Sequence, residues 1–259
     1  MNTQPSLLRA DAAGVTTLTL NRPAQFNALD HALLGELRMA LSAIATDERV
    51  RVVVIAGAGR AFCAGHDLKE MSVTRDEAAI GRLFHDCADL MLAIRDLPQP
   101  VIARVHGIAT AAGCQLVAAC DLAIAAADAR LATSGINLGL FCATPGVPVS
   151  RNIAPKRAFE MLFTGEFIDA ATALAWGLVN RVVPPAELDP AVGALAQALL
   201  AKPRRVVAAG KRLFYRQLAE PLPDAYQSAA RCITANLLGP DAQEGISAFI
   251  GKRPPRWPD

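Results

Sequence analysis

Two stretches of small residues hold the groups best suited to chemistry: Ala61-Phe62-Cys63-Ala64-Gly65-His66-Asp67-Leu68-Lys69 and His106-Gly107-Ile108-Ala109-Thr110-Ala111-Ala112-Gly113-Cys114-Gln115. Each follows an apolar, β-branched run, residues 52–56 and 101–105, that reads as a buried strand. Each loop therefore leaves a strand end, where α/β sheets place their ligands. Where side chains are small, a ligand meets bare backbone N–H groups. The pair reads as two halves of one anion trap.

Other segments must hold these loops in place. A short strand is expected near residues 15–20. A helix over about 29–44 follows, with Leu33, Leu34, Leu37, Leu41 and Ile44 at helical spacing and Asp30 as its cap. Residues 76–94 read as a second amphipathic helix, bearing Ile80, Leu83, Phe84, Leu90 and Leu92 and the titratable Glu77, His85 and Asp86. A helix from Ala112 to about Ala119 and a strand at 122–126 complete a strand-helix-strand unit, expected to be right-handed. Beyond Pro155 the pattern turns helical at 157–162 and 170–175, with a strand at 178–183 and helices at about 188–201 and 203–218.

The 259 residues, 53% of them hydrophobic, suffice for one compact core and a helical tail, divided at about residue 195. The longest apolar stretch, 107–127, is interrupted by Gln115 and Asp121, which argues against a membrane span. Residues 1–13 lack a secretory pattern. Twenty-six basic against 24 acidic residues leave a net charge of +2, without the basic field of a nucleic-acid binder. The six cysteines, at 63, 87, 114, 120, 142 and 232, show neither close Cys-x-x-Cys pairing nor zinc-like histidine spacing. That pattern predicts a reducing compartment and no metal. Cys142 reads as a small, partly buried residue, because no flanking His or Lys would activate its thiol.

The trap loops, with Asn21-Arg22-Pro23, Asn27-Ala28-Leu29, Leu162-Phe163-Thr164-Gly165, Ala175-Trp176-Gly177-Leu178-Val179 and Glu244-Gly245-Ile246-Ser247-Ala248-Phe249, resemble the crotonase (enoyl-CoA hydratase/isomerase) superfamily over nearly the whole chain. The resemblance implies an α/β fold: a spiral of repeated β-β-α units over residues 1–195, then a helical trimerisation region over 196–259. It implies an acyl-CoA ligand, with coenzyme A as part of the substrate and no tightly bound cofactor, and assembly as a trimer or a pair of trimers. It implies an oxyanion hole made by the backbone N–H groups of His66 and Ala112. Around coenzyme A it places Arg22, Ala24, Gln25, Arg60, Ala64, Gly65, Asp67, Leu68 and Lys69, with Phe249 and Lys252 reaching a neighbouring subunit's site. Asp67 also suits a cap for the turn that follows it. Such a protein belongs in the cytoplasm of a bacterium or the mitochondrial matrix of a eukaryote.

One departure from the family bears on mechanism. Typical hydratases of the superfamily use two glutamates, and at the matching positions this chain carries Gln115 and Gly135. Neither can titrate. If each general acid–base group contributes about 10²–10⁴ in rate, losing both removes roughly four to eight orders of magnitude from hydration. Three readings follow: a nominal hydratase/isomerase with an atypical site, a decarboxylase of malonyl-type thioesters in which loss of carbon dioxide generates the enolate, and a carrier or sensor of acyl-CoA without turnover. Glu77, His85 or Asp86 could stand in for the glutamates if their helix turned them inward.

Overall fold

The computed structural model describes residues 5–73 and 75–258. The chain opens with β1 (Leu7–Ala12) and β2 (Val15–Leu20), then α1 (His31–Thr46), β3 (Val52–Gly57), α2 (Leu68–Val73) and α3 (Glu77–Asp96). Two β-β-α turns follow: β4 (Val101–Val105), β5 (Ile108–Thr110) and α4 (Ala112–Ala119), then β6 (Leu122–Ala126), β7 (Arg130–Ala132) and α5 (Ala143–Asn152). After these come α6 (Pro155–Thr164), β8 (Ile168–Asp169), α7 (Ala170–Trp176), β9 (Arg181–Val183), α8 (Leu188–Leu200), α9 (Arg204–Gln217), α10 (Leu222–Leu238) and α11 (Pro240–Ile250).

The larger sheet runs in the order β1-β2-β3-β4-β6-β9 and the smaller in the order β5-β7-β8. Each β-β-α turn gives one strand to each sheet, which is the crotonase spiral expected from the sequence. The register explains the apolar runs. On β3, Val53 and Ile55 point into the main core with α1, α3 and α4, while Val52 and Val54 point to the opposite face. There they meet Leu188, Val192 and Ala196 of α8. Alternate residues of β4 and β6 divide the same way, so these parallel strands are buried on both faces and read as continuous hydrophobic segments.

Most helices match the sequence reading, and α1 is capped as expected, with Asp30 Oδ1 accepting from the Leu33 N–H at 2.9 Å. Strand β1 was not foreseen: its pattern, Leu-Leu-Arg-Ala-Asp-Ala, lies at an exposed edge, paired among the described residues with β2 alone. Helix α10 also lacks a sequence expectation. The strand expected at 178–183 shrinks to β9, because the N–H groups of Leu178 and Val179 still bond the Ala173 carbonyl at the end of α7.

A buried polar cluster fastens the tail to the core. Lys211 Nζ on α9 donates to Asp121 Oδ2 at 2.7 Å and to the carbonyls of Ile94 and Gln99 at 2.9 and 3.0 Å. Tyr215 OH donates to Asp121 Oδ1, and the N–H of Val101, first residue of β4, donates to Asp121 Oδ2, each at 2.7 Å.

Candidate functional site

The two loops adjoin because glycine lets their backbones touch. A Cβ at Gly113 would collide with the Cys63 carbonyl, and Gly65, at φ +94°, lies where a Cβ would stand 2.9 Å from Ala111 Cβ and 3.2 Å from Ala112 N. Hydrogen bonds stitch the loops together: Cys63 N–H to Ile108 O at 3.1 Å and Thr110 N–H to Cys63 O at 3.0 Å. Asn27, itself left-handed at φ 57°, is fully buried and pins the first loop. Its Nδ2 donates to the carbonyls of Ala58, Ala61 and Phe62 at 2.8, 2.7 and 3.2 Å, and its Oδ1 accepts from Arg22 N–H at 3.0 Å. The sequence motif contained this residue, but its role depends on where three distant carbonyls converge.

The backbone donors of the two loops are mostly engaged. Ala64 N–H donates to Phe26 O at 3.0 Å, Asp67 N–H to Leu29 O at 3.0 Å, and Ala111 N–H to Ala132 O at 3.0 Å. Among the described residues, the N–H groups of His66 and Ala112 find no protein acceptor, and neither do those of Leu68, Gly113 and Cys114 in the first turns of α2 and α4. Ala112 opens α4, so the helix dipole reinforces its donor. Ala111 turns the chain into that helix with φ 50° and ψ −120°, a conformation L-residues avoid and one that costs of order 1–3 kcal/mol.

The groups lining this junction are neutral. Burial pulls the His66 pKa down to about 4, so its imidazole is uncharged near neutral pH. Its ring meets Phe84 of α3 edge-on, with centroids 5.3 Å apart, and its Nε2 is buried with no hydrogen-bond partner among the described residues. Gln115, 2% exposed on α4, accepts from the Cys87 thiol of α3 at 3.9 Å through Oε1. Burial pushes the thiols of Cys63, Cys87 and Cys114 up to about 12, and raises that of Cys142, so all stay protonated.

Gly135 is enclosed by its own loop. Leu140 N–H donates to the Gly135 carbonyl at 3.0 Å and Gly135 N–H to Cys142 Sγ at 3.3 Å. A Cβ at Gly135 would stand 2.5 Å from the Leu140 carbonyl oxygen and 2.8 Å from Cys142 Sγ, closer than real Cβ atoms approach. The Leu140 carbonyl and the Cys142 sulfur thus occupy the space a side chain would need. A hydroxyl pair, Thr110 Oγ1 and Ser134 Oγ at 2.7 Å, ties this turn to the second trap loop.

The titratable residues of α3 face elsewhere. His85 Nδ1 bonds the Gly81 carbonyl at 2.7 Å, Asp86 pairs with Arg38, and Glu77 is exposed at the first turn. Arg22 is held inside the chain, with Nη2 on Asp67 Oδ2 at 2.9 Å and Asp30 Oδ2 at 3.0 Å and Nη1 on the Ala28 carbonyl. Asp67 caps α2 through the N–H of Lys69 at 3.0 Å. Burial works against its carboxylate, yet Arg22 and the N–H groups of Glu70 and Lys69 outweigh it and keep its pKa low. Arg60 stacks over Phe26 at 4.2 Å, beside the exposed Ala24 and Gln25. Leu68 and Lys69 are exposed on the first turn of α2, next to half-buried Ala64. Phe249, 86% exposed, and Lys252 sit at the far end of α11, which packs on α10.

The model of the enoyl-CoA hydratase/isomerase family matches residues 10–259. Among curated relatives, the mitochondrial enoyl-CoA hydratase domain-containing protein 3 of Xenopus laevis is 45% identical over 94% of this chain and 83% of its own length. The human protein of that name is 43% identical over 94% and 80%. A crystal structure of enoyl-CoA hydratase from Mycobacterium smegmatis superposes with a TM-score of 0.97 at 57% identity, covering 98% of this chain and 99% of that one. That of human enoyl-CoA hydratase domain-containing protein 3 superposes at 0.95 with 42% identity, covering 98% and 100%.

Proposed function

Since the chain belongs to the enoyl-CoA hydratase/isomerase family, we propose that it binds an acyl-CoA thioester and stabilises negative charge on the thioester oxygen by a route that avoids paired carboxylates. The observation that carries this reading is the pair of unengaged N–H groups, His66 and Ala112, on loops held in contact. A carbonyl oxygen placed between them would receive two hydrogen bonds, reinforced by the α4 dipole as charge develops. Exposed Lys69 and Arg60, beside the loop, suit the coenzyme A phosphates, whereas Arg22 serves the loop itself through Asp30 and Asp67.

Hydration by two glutamates does not fit this chamber. Gln115 and Gly135 cannot titrate, the neighbouring thiols stay protonated, and burial makes His66 a weak base. Reactions whose enolate arises without a protein base remain, and decarboxylation of a malonyl-type thioester is one such reaction. Among the described residues the carboxylate on the trap loops, Asp67, is paired with Arg22, and this supports decarboxylation over carriage alone only together with the trap, since tethering coenzyme A needs no aligned donors at the carbonyl. We further propose assembly into trimers or paired trimers, for which exposed Tyr226, Leu238 and Phe249 on α10 and α11 supply apolar surface. The free cysteines suit a reducing compartment, the matrix or the bacterial cytoplasm.

Calorimetric titration with an acyl-CoA and its thioether analogue, which lacks the carbonyl, tests the trap without altering the protein. Two hydrogen bonds of about 0.5–1.5 kcal/mol each predict a loss of roughly 5- to 150-fold for the thioether. Equal affinities would overturn the reading.

A further inference from the structure

We infer that the imidazole of His66 is a specificity-determining group that hydrogen-bonds, through Nε2, an oxygen on the third carbon of the acyl group. The inference rests on the acyl-CoA reading above and names the class of thioester within it. Nε2 is buried and unpartnered among the described residues, and a buried polar atom in that state calls for a partner that the chain does not supply. Its place is defined by covalent geometry. The N–H of the same residue is the proposed donor to the thioester oxygen, and an imidazole Nε2 lies roughly 5–6 Å from its own backbone nitrogen. That distance spans a few bonds of acyl chain.

The direction is set by α3. Phe84 meets the His66 ring, and Cys87, one turn further along the same helix, meets Gln115. His66 and Gln115 therefore border the same strip of α3, and an acyl group running from the Ala112 N–H into this strip passes the imidazole. Phe84, whose ring meets that of His66, is a half-buried side chain with no hydrogen-bonding group to lose when it moves aside. A purely hydrocarbon acyl chain would replace that ring and leave Nε2 unpartnered. An oxygen at C3 would satisfy it.

A hydroxyl, a ketone and a carboxylate all present such an oxygen, and the assay separates them. Calorimetric titration of the intact protein with butyryl-CoA, 3-hydroxybutyryl-CoA, 3-oxobutyryl-CoA and malonyl-CoA should show at least one oxygenated thioester binding about tenfold tighter than butyryl-CoA, about 1.4 kcal/mol. In His66→Leu that preference should fall to within twofold, with thermal unfolding verifying the fold. A neutral Nε2–H serves all three oxygens, so the tightest arm identifies the source, and mass spectrometry of the malonyl arm detects acetyl-CoA if carbon dioxide is lost. Equal affinity of the wild-type protein for butyryl-CoA and every oxygenated thioester would overturn the inference and leave the acyl-CoA reading standing. Failure of all four to bind would remove both. Retention of the wild-type preference in His66→Leu would overturn the role of the imidazole, and His66→Phe repeats the comparison if the leucine variant does not fold.

Discussion

Gly135→Ala is a direct probe of how tightly the loop closes on Gly135, the position where the family resemblance places a glutamate. The added Cβ would lie 2.5 Å from the Leu140 carbonyl oxygen and 2.8 Å from Cys142 Sγ. One contact is backbone, held by the Leu140 N–H bond to Gly135 itself. Overpacking of this kind costs about 1–3 kcal/mol, against roughly 0.4–1 kcal/mol gained from a less flexible unfolded chain. The net destabilisation is about 0–2.6 kcal/mol, centred near 1.3 kcal/mol, which is a fall in melting temperature of about 3–5 °C. Scanning calorimetry beside Gly35→Ala gives the comparison, because Gly35 is on α1 with open space around its Cβ position and that substitution should raise the melting temperature. The same steric argument predicts that Gln115→Glu combined with Gly135→Glu produces no hydration of enoyl-CoA. A Gly135→Ala protein melting at or above the wild type would refute the reasoning, as would a double variant that hydrates enoyl-CoA at wild-type stability.

Three further outcomes follow from the site. His66 has a folded-state pKa near 4 against an ordinary 6.5, so the unfolded chain binds more protons between those values and stability should fall as pH drops through that window, by up to about 3 kcal/mol. Urea titrations from pH 7 to pH 4.5 should show a shallower fall for His66→Leu, and parallel curves would argue against a desolvated imidazole. Asn27→Ala removes the donors to three carbonyls at a left-handed position and should cost roughly 2–3 kcal/mol in urea unfolding; a loss below 0.5 kcal/mol, about the size of an ordinary surface change, would contradict its pinning role. A maleimide should label half-buried Cys232 in the native protein while Cys63, Cys87 and Cys114 react only after unfolding, as peptide mapping can verify.

Periodicity made much of the fold legible. Leu33, Leu37, Leu41 and Ile44 announced α1, and the β-branched runs announced β3 and β4, because burial on one or both faces writes itself into local sequence. Edge strand β1 lacks such a face and left little trace. At the site, Gln115 and Gly135 were visible as residue types, as was a loop of small residues. Three features were not, since each depends on atoms brought together from distant segments. Phe84 meets the ring of a histidine 18 positions earlier, Leu140 doubles back on Gly135, and Asn27 collects carbonyls from residues 58, 61 and 62. A spacing rule carries no information about such meetings.

The Asp121 cluster ties the fate of the tail to that of the sheet. One carboxylate, at the junction of α4 and β6, accepts from the first residue of β4 and from both Lys211 and Tyr215 of α9. Were α9 to lift away, Asp121 would lose its cation, Lys211 its three acceptors, and the chain would face a penalty of about 3–5 kcal/mol for unpaired buried charge. Fraying of α9 is therefore not a local event. Core and tail should open as one cooperative unit, with the Val101 amide and the buried-face amides of α9 exchanging hydrogen at a common free energy. A chain cut at residue 200 would then be no isolated spiral. It would carry an unanswered charge at the point where two central strands meet.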